Sequence, residues 1–344
     1  MTHVITIKAS SAPIPIASAA PKGLPVPAVA PPVQVAVAAL RGTEYGTNGI
    51  EAYAKFAHGS DMSCFLDPFI AKGLDKQNGK KVLDAGCGAA PWSIYAAQRG
   101  ATVDAIDIQP GMIVAANKAI VQANLADKVT AVVGDGTALP YQDNSFDHAI
   151  SINVGCNLPK QIFAQHFQQL GKAINLGGTI DVAAPDSLDV VFTDGSSSEA
   201  VVGAHIAEVL KALPNNPTPA QIQEKLGALK EITSATFTIV ENRLVLVTDQ
   251  TKLVSGQNIW RKLAAVTIPN HYYSDADYMA AFKAANLTLA KVDRRVFATE
   301  MERTAFNLDK AVHPKLGSTY SKHAPFVVYH VEKRVLKCDD CNLQ

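Results

Sequence analysis

A doubly wound α/β fold on a mostly parallel sheet is the architecture predicted by this 344-residue sequence. Three observations predict it. Residues 81–88, Lys-Val-Leu-Asp-Ala-Gly-Cys-Gly, are an apolar run that ends in an acid, enters a loop with two glycines and opens onto a helical pattern at Pro91. Thr102–Ile106 and Val129–Val133 are further short strand patterns, the first followed by Asp107 and the second by Gly134-Asp135-Gly136. Strand and helix patterns then keep alternating, as a sheet covered by helices on both faces requires.

The elements follow in order. Residues 1–40 hold no acid, no Phe, Tyr or Trp, and only Lys8 and Lys22 as charged side chains. Prolines at 13, 15, 21, 25, 27, 31 and 32 exclude a helix or a central strand. No uninterrupted apolar run reaches membrane-spanning length, and the charged start and compact apolar core of a secretory signal are missing. This segment reads as an extended arm or tether, either solvated or packed on the surface. Residues 41–185 are expected to hold an amino-terminal cap and the cofactor-binding half of the main domain. Within the cap, residues 49–57 and 64–70 place apolar side chains at helical spacing.

Ser145–Ile152 predicts the fourth strand, Leu158–Ala173 a helix, and Thr179–Ala183 a fifth strand after the Gly177-Gly178 turn. Residues 186–274 leave the simple alternation. They predict helices over Ser197–Ala212 and from Thr218-Pro219 to Lys230, then a hairpin around Glu241-Asn242-Arg243. A third helical stretch is expected over Ile259–Ala265. This region is expected to be an insertion after strand five that makes a lid and most of an acceptor pocket. Residues 275–334 return to the main domain, with a helix over Asp275–Ala285 and strands over Leu287–Phe297 and Pro325–Val331. Residues 335–344 are a tail.

Four segments carry a family resemblance: VLDAGCG at 82–88, DIQPGM at 107–112, VVGDGTALPYQDNSFDHAIS at 132–151 and LGGTI at 176–180. Over roughly residues 80–185, and more loosely over 275–333, the chain resembles the class I S-adenosylmethionine-dependent methyltransferases. The resemblance implies a Rossmann-like sheet of seven strands ordered 3-2-1-4-5-7-6, the last antiparallel, and S-adenosylmethionine as cofactor. The third glycine usual in that family is Ala90 here. A nicotinamide cofactor fits less well. The dinucleotide fingerprint wants Gly or Ala where Pro91 stands, and gives no reason for Gly134-Asp135-Gly136.

Each cofactor-site candidate has a chemical reason under that resemblance. Gly86 and Gly88, with Cys87 between them, let backbone pass close to the ribose and methionine portion because glycine has no Cβ. Asp107, at the end of its strand, is placed to accept two hydrogen bonds from the ribose hydroxyls. Asp135 is placed for the adenine amino group, with Gly136 among the neighbouring backbone amides. Asp84 is placed to bind the cofactor's ammonium directly or through water. Ile108 and Met112 are apolar candidates to flank the adenine. Asn153 opens the stretch where the family puts the reacting methyl group, and Tyr45 and Tyr53 are cap tyrosines for the methionine end.

Methyl transfer is an in-line displacement at an already activated carbon, so positioning matters most and a base is needed only for an acceptor that keeps its proton. Candidate basic or orienting groups are His271 and Tyr272, followed by Tyr273, in the insertion, and His58 in the cap. Trp260-Arg261 is open between pocket lining and core. Cys156 reads as packing, since the reaction needs no protein nucleophile. The Asn/Asp-Pro-Pro-Tyr/Phe motif of amino-methylating nucleic-acid and glutamine enzymes is absent after strand four.

Thirty-one basic residues balance 31 acidic ones without a dense Lys/Arg stripe, which argues against nucleic acid as partner. Five cysteines, an odd number, point to a reducing compartment and a cytoplasmic location rather than a disulfide framework. Cys338 and Cys341 supply only two of the four ligands of a structural zinc, so no metal is assigned. The expected function is an enzyme that methylates an O or N atom of a small molecule. A protein or peptide methyltransferase and a non-catalytic S-adenosylmethionine-binding module are the alternatives. Oligomeric state is not legible.

Overall fold

The computed structural model describes residues 69–186, 191–192, 199–229, 232–263, 266–294 and 326–334. The arm, most of the cap with Tyr45, Tyr53 and His58, and the cysteine tail lie outside these residues. The main sheet is built from β1 (Lys81–Ala85), β2 (Thr102–Asp107), β3 (Val129–Val133), β4 (Phe146–Ile152) and β5 (Ile174–Pro185). It is completed beyond the insertion by β11 (Thr288–Arg294) and β12 (Phe326–Glu332). Its order is β11-β12-β5-β4-β1-β2-β3, which counted within this sheet is the expected 3-2-1-4-5-7-6. Strands β1 to β5 are parallel, and β12 runs antiparallel to both of its neighbours.

β5 starts at Ile174, ahead of the expected Thr179. Its register with β4 jumps from Phe146↔Ile174 to His148↔Thr179. The glycine pair is therefore an irregularity inside the strand rather than a turn before it, with Gly177 at φ 79°.

Helices cover both faces. On one side α1 (Pro91–Gln98), α2 (Pro110–Gln122) and a helical segment over residues 69–74 pack on Val82, Val103, Ala105, Ile150 and Ala183. Both α1 and α2 start on a proline, whose missing N–H is an orphan donor at that position anyway. On the other side α3 (Lys160–Ala173) and α6 (Asp275–Ala284) pack on Leu83, Ala85, Phe146, Ala149 and Val182. α3 buries Ile162, Phe163, His166, Phe167 and Leu170, the i, i+3/i+4 stripe of an amphipathic helix with one polar member. A reciprocal Ser274–Asp277 capping box starts α6.

The insertion is a second unit of structure. It comprises β6 (Val191–Phe192), α4 (Glu199–Lys211), α5 (Pro219–Ala228), β7 (Ile232–Val240), β8 (Arg243–Leu246), β9 (Asn258–Leu263) and β10 (Val266–His271). The strands run antiparallel in the order β10-β9-β7-β6, with β8 on β7. The expected hairpin is present; Glu241 and Asn242 both take positive φ, the geometry of a tight two-residue turn. Ile206, Ile222, Leu226, Phe237, Leu244 and Trp260 form its own small core.

The helix expected over Ile259–Ala265 is corrected to strand β9, paired with both β7 and β10. Ile259, Trp260, Arg261 and Lys262 are all buried, so both faces of β9 are covered. A strand buried on both faces loses the apolar–polar alternation that identifies it, leaving a spacing that imitates a helix.

Candidate functional site

The carboxyl ends of β1, β2, β3 and β4 open into one cleft, at the crevice where ligands of open α/β sheets sit. Its lining includes Gly86 and Gly88 after β1, Asp107–Gln109 and Met112 after β2, and Gly134 and Gly136 after β3. Ile152, Asn153, Val154, Asn157 and Leu158 after β4, with His166 from α3, complete it.

The glycine loop is tied to the end of the next strand. Gly88 donates its backbone N–H to Asp107 Oδ2 at 2.9 Å, and Gln109 donates its own to Oδ1 at 2.9 Å. Each carboxylate oxygen can accept more than one hydrogen bond, so this acid can orient the loop and still receive ligand hydroxyls. Close packing explains the glycines. A Cβ on Gly86, which sits at φ 87°, would stand 2.2 Å from Val154 Cγ2. One on Gly134 would stand 2.3 Å from Ile106 Cδ1. Ala90, where the resemblance expects glycine, is held at φ 63° and fully buried. Left-handed backbone is what glycine supplies most easily, which is a physical reason for the family's preference there.

Seven of the sequence-predicted cofactor residues line the cleft: Gly86, Gly88, Asp107, Ile108, Met112, Gly136 and Asn153. Asp84, Cys87 and Asp135 stand just behind it. Asp84 is 2% exposed, accepts a hydrogen bond from Ser93 Oγ at 2.5 Å, and burial raises its pKa to about 7. Cys87 is a buried thiol whose pKa burial pushes well up. Asp135 Oδ1 accepts from Thr137 N and Oγ1, both at 2.7 Å, and so shapes the loop between the two lining glycines. Asn153 takes φ 57°, a conformation that Asn tolerates better than most residues.

Sequence reasoning missed His166. It is fully buried, with Nε2 2.9 Å from Ser151 Oγ and Nδ1 3.0 Å from the Gly136 carbonyl. A carbonyl only accepts, so Nδ1 carries the proton and Nε2 accepts from Ser151. His166 thereby pins the Gly136 loop from behind. The available signal was a histidine inside the apolar stripe of α3.

The insertion rests on the rim of this cleft. Asn270 Nδ2 donates to Asn157 Oδ1 at 2.6 Å, and Tyr273 Oη donates to the Leu158 carbonyl at 2.7 Å. The Tyr273 ring stacks on Phe163, centroids 3.8 Å apart. Beside these contacts lies a second cavity of about 340 Å³, at the end of β5. Pro185 and Asp186, Gln250 and Thr251, Arg261, Tyr272–Ala276, Tyr278, Arg294 and Tyr329 contribute to its walls. Tyr272 thus faces a cavity, as expected of a pocket residue, and Arg261 lines it while Trp260 joins the insertion's core. His271 lines neither cavity; its Nδ1 lies 3.4 Å from the Gly256 carbonyl, and burial lowers its pKa. Burial also raises the pKa of both Tyr272 and Tyr273, so neither is a ready base. Cys156 is buried, with Sγ 3.3 Å from the Asn153 carbonyl, as its packing role predicts.

The cleft suits a nucleoside-bearing cofactor with little phosphate character. It offers a strand-end carboxylate for hydroxyls, apolar Ile106, Ile108, Met112 and Ile152 for a flat ring, and glycine backbone for close approach. The Asp107 carboxylate at the strand end and the glycine backbone of Gly86, Gly88 and Gly134 in the lining are the observations that carry this fit.

Comparison with known proteins agrees. Residues 82–178 match a family model described as a methyltransferase domain. A demethylmenaquinone methyltransferase of Corynebacterium glutamicum is 31% identical over 144 residues, covering 42% of this chain and 58% of that protein. A sterol 24-C-methyltransferase of Saccharomyces cerevisiae is 27% identical over 143 residues, covering 40% of this chain and 37% of that protein. This chain thus spans about half the length of the curated relatives it matches. The crystal structure of an S-adenosylmethionine-dependent methyltransferase from Mesorhizobium loti shares the fold, with a TM-score of 0.50 and 17% identity, over 79% of this chain and 99% of that one.

Proposed function

We propose that this chain, whose residues 82–178 match a methyltransferase-domain model, transfers a methyl group from S-adenosylmethionine to an O or N atom of a small, polar molecule. One observation carries the reading. The cofactor-type cleft and a second, polar cavity are brought together by Asn157 and Leu158, which line the first and anchor the insertion through Asn270 and Tyr273.

S-adenosylmethionine, when bound, supplies a methyl carbon activated by a positive sulfur. Asp107 would hold its ribose, the Gly86–Gly88 loop would admit its methionine portion, and Ile108 and Met112 would flank its base. The chain's remaining task is orientation and exclusion of water, and orientation alone can contribute about 7–11 kcal/mol. The inserted sheet is placed to close over an acceptor. Tyr272 and Tyr273 are held as neutral phenols and His271 is outside both cavities, so among the described residues none of the three is a strong base there. An amine, or an oxygen acceptor that is already ionised, suits such a pocket.

The acceptors of two relatives, a demethylmenaquinone and a sterol carbon, belong to those proteins. Gln250, Thr251, Tyr272 and Ser274 give this chain's second cavity a wall of amide and hydroxyl groups, which favours a polar acceptor instead. Calorimetric titration with S-adenosylmethionine and with NAD tests the cofactor, and methyl transfer from labelled S-adenosylmethionine to a panel of amines, phenols and carboxylic acids tests the acceptor. Micromolar S-adenosylmethionine binding, none for NAD, and label on a panel member are expected. Binding without transfer to any small molecule would favour the peptide or non-catalytic reading.

A further inference from the structure

Tyr278 is a phenol held in place by ring packing. It lies on α6, is 2% exposed, and is among the largest fully buried side chains. Its ring stacks on Tyr329 at 5.0 Å between centroids and meets Phe163 and Phe167 edge-on at 5.1 and 5.8 Å. The two other phenols beside it are both used. Tyr273 donates to the Leu158 carbonyl, and Tyr329 donates to Asp275 Oδ1 at 2.6 Å. The Tyr278 hydroxyl has no hydrogen bond of this kind among the described residues. That hydroxyl is not among the buried unpartnered polar atoms of the described residues, and Tyr278 lines the second cavity.

Where that hydroxyl stands is informative. A Cβ built on Gly155 would lie 2.7 Å from Tyr278 Oη. Gly155 belongs to the turn after β4 whose Asn153, Val154 and Asn157 line the cofactor cleft, while Tyr278 itself lines the second cavity. The phenol therefore sits where the two spaces approach one another. Arg261, 8% exposed on β9, lines the same cavity. The two acids in that wall are already committed, Asp186 and Asp275 to Arg294, and Asp275 also to Tyr329. A guanidinium has five N–H donors, and Arg261 has partners of its own. The inner wall thus presents donors, one of them cationic, beside acids whose charge is compensated.

On the reading that this cavity receives the acceptor, we infer that Tyr278 donates a hydrogen bond to an acceptor oxygen, with Arg261 as the second donor, and that the acceptor is an organic anion presenting a carboxylate or phenolate. Tyr278 acts as donor and not as base, since burial keeps its proton on. Where the ionised oxygen is itself the nucleophile, its lone pair forms the O–CH3 bond as the methyl–sulfur bond breaks and S-adenosylhomocysteine leaves, so no proton has to be removed.

The test uses the full-length chain saturated with S-adenosylhomocysteine, so that the cofactor cleft is filled by an unreactive analogue. Benzoate and 4-nitrophenolate are titrated against their uncharged counterparts benzamide and 4-nitroanisole, by calorimetry and, for 4-nitrophenolate, by visible absorbance. Both anions are expected to bind at least tenfold more tightly than their counterparts; benzoate alone or 4-nitrophenolate alone would assign the carboxylate or the phenolate. Tyr278→Phe is expected to weaken the anions about tenfold, a plausible loss for a hydrogen bond to a charged group. Melting temperature and S-adenosylhomocysteine affinity should stay the same in that variant, since the hydroxyl supports neither. Equal affinity for anion and neutral probe, no binding of any probe, or unchanged anion affinity in Tyr278→Phe overturns the inference and leaves the cofactor assignment standing. Failure of the unaltered chain to bind S-adenosylmethionine or S-adenosylhomocysteine overturns both.

Discussion

Gly88 donates its backbone N–H to the Asp107 carboxylate at 2.9 Å, which joins the loop after β1 to the end of β2. One acid thus both positions the glycine loop and faces the cleft. Substituting Asp107 by Ala is expected to cost stability as well as cofactor affinity. Two charge-assisted bonds are lost, from Gly88 and Gln109, at roughly 1.5–3 kcal/mol each before relaxation. Asp107→Asn keeps one acceptor oxygen and should lose less of both. Denaturant unfolding and S-adenosylmethionine calorimetry on the two variants check this; unchanged affinity in Asp107→Ala would sink the ribose assignment.

Gly86→Ala is expected to destabilise the chain by more than about 1 kcal/mol, from left-handed backbone alone. Its new methyl group would also collide with Val154 Cγ2. Adding Val154→Ala should recover the steric part and leave the backbone part. Thermal melts of the single and double variants separate the two. Equal melting temperatures for Gly86→Ala and the unaltered chain would show that the loop is not held as described.

Asp84 makes stability fall with rising pH over a defined window. Buried in the folded chain, with a pKa pushed up by burial to about 7 from an ordinary carboxyl value of 3.8, it keeps a proton that the unfolded chain releases. Its contribution is therefore favourable at about pH 4, declines as pH rises toward 7 and levels off above that. Asp84→Asn keeps the shape and removes the titration, so its stability-versus-pH curve should be flatter than that of the unaltered chain between pH 4 and 7. Guanidinium midpoints across that range measure the difference.

A second titrating group lies in the sheet far from the cleft. His330 on β12 has Nδ1 2.6 Å from Asp181 Oδ1 and Nε2 3.0 Å from Asp293 Oδ2, with Lys291 also bound to Asp293. Burial opposes its charge, but the bonds and charges of the two acids win and raise its pKa above 6.5. Its stabilisation is present in full below about pH 6.5 and is lost as pH rises through the raised value. His148 on β4, fully buried with Nε2 3.5 Å from Asp181 Oδ2, is driven the other way by burial and stays neutral. Its contribution holds above 6.5 and is lost on acidification. His330→Gln should abolish the alkaline loss and leave the acid-side loss, which unfolding midpoints from pH 5 to 9 would resolve.

Much of the fold was legible because its signals are local. Strand-end acids and glycines marked β1 to β3, and prolines marked the starts of α1 and α2. The Thr218-Pro219 helix start and the hairpin at Glu241-Asn242-Arg243 marked parts of the insertion. β9 was not legible, because burial on both faces erased its alternation. In the cleft, Gly86, Gly88, Asp107 and Met112 could be read from a strand-to-loop motif. His166 could not, since its partners Ser151 and Gly136 are 15 and 30 residues away.

The sequence by itself determined the succession of strands and helices in the main domain, the place of the cofactor cleft and the break in alternation after strand five, while the order of the sheet was implied by the family resemblance. The first three follow from backbone chemistry within a few residues: where a strand ends, where φ must be positive, where an acid follows a strand. Only the tertiary structure decided that Asp107 restrains Gly88, that Arg261 and Tyr278 share a cavity, and that His271 is outside it. Those relations join strands and helices far apart in the chain. They depend on how two sheets pack against one turn after β4, and no local pattern of residues encodes that distance.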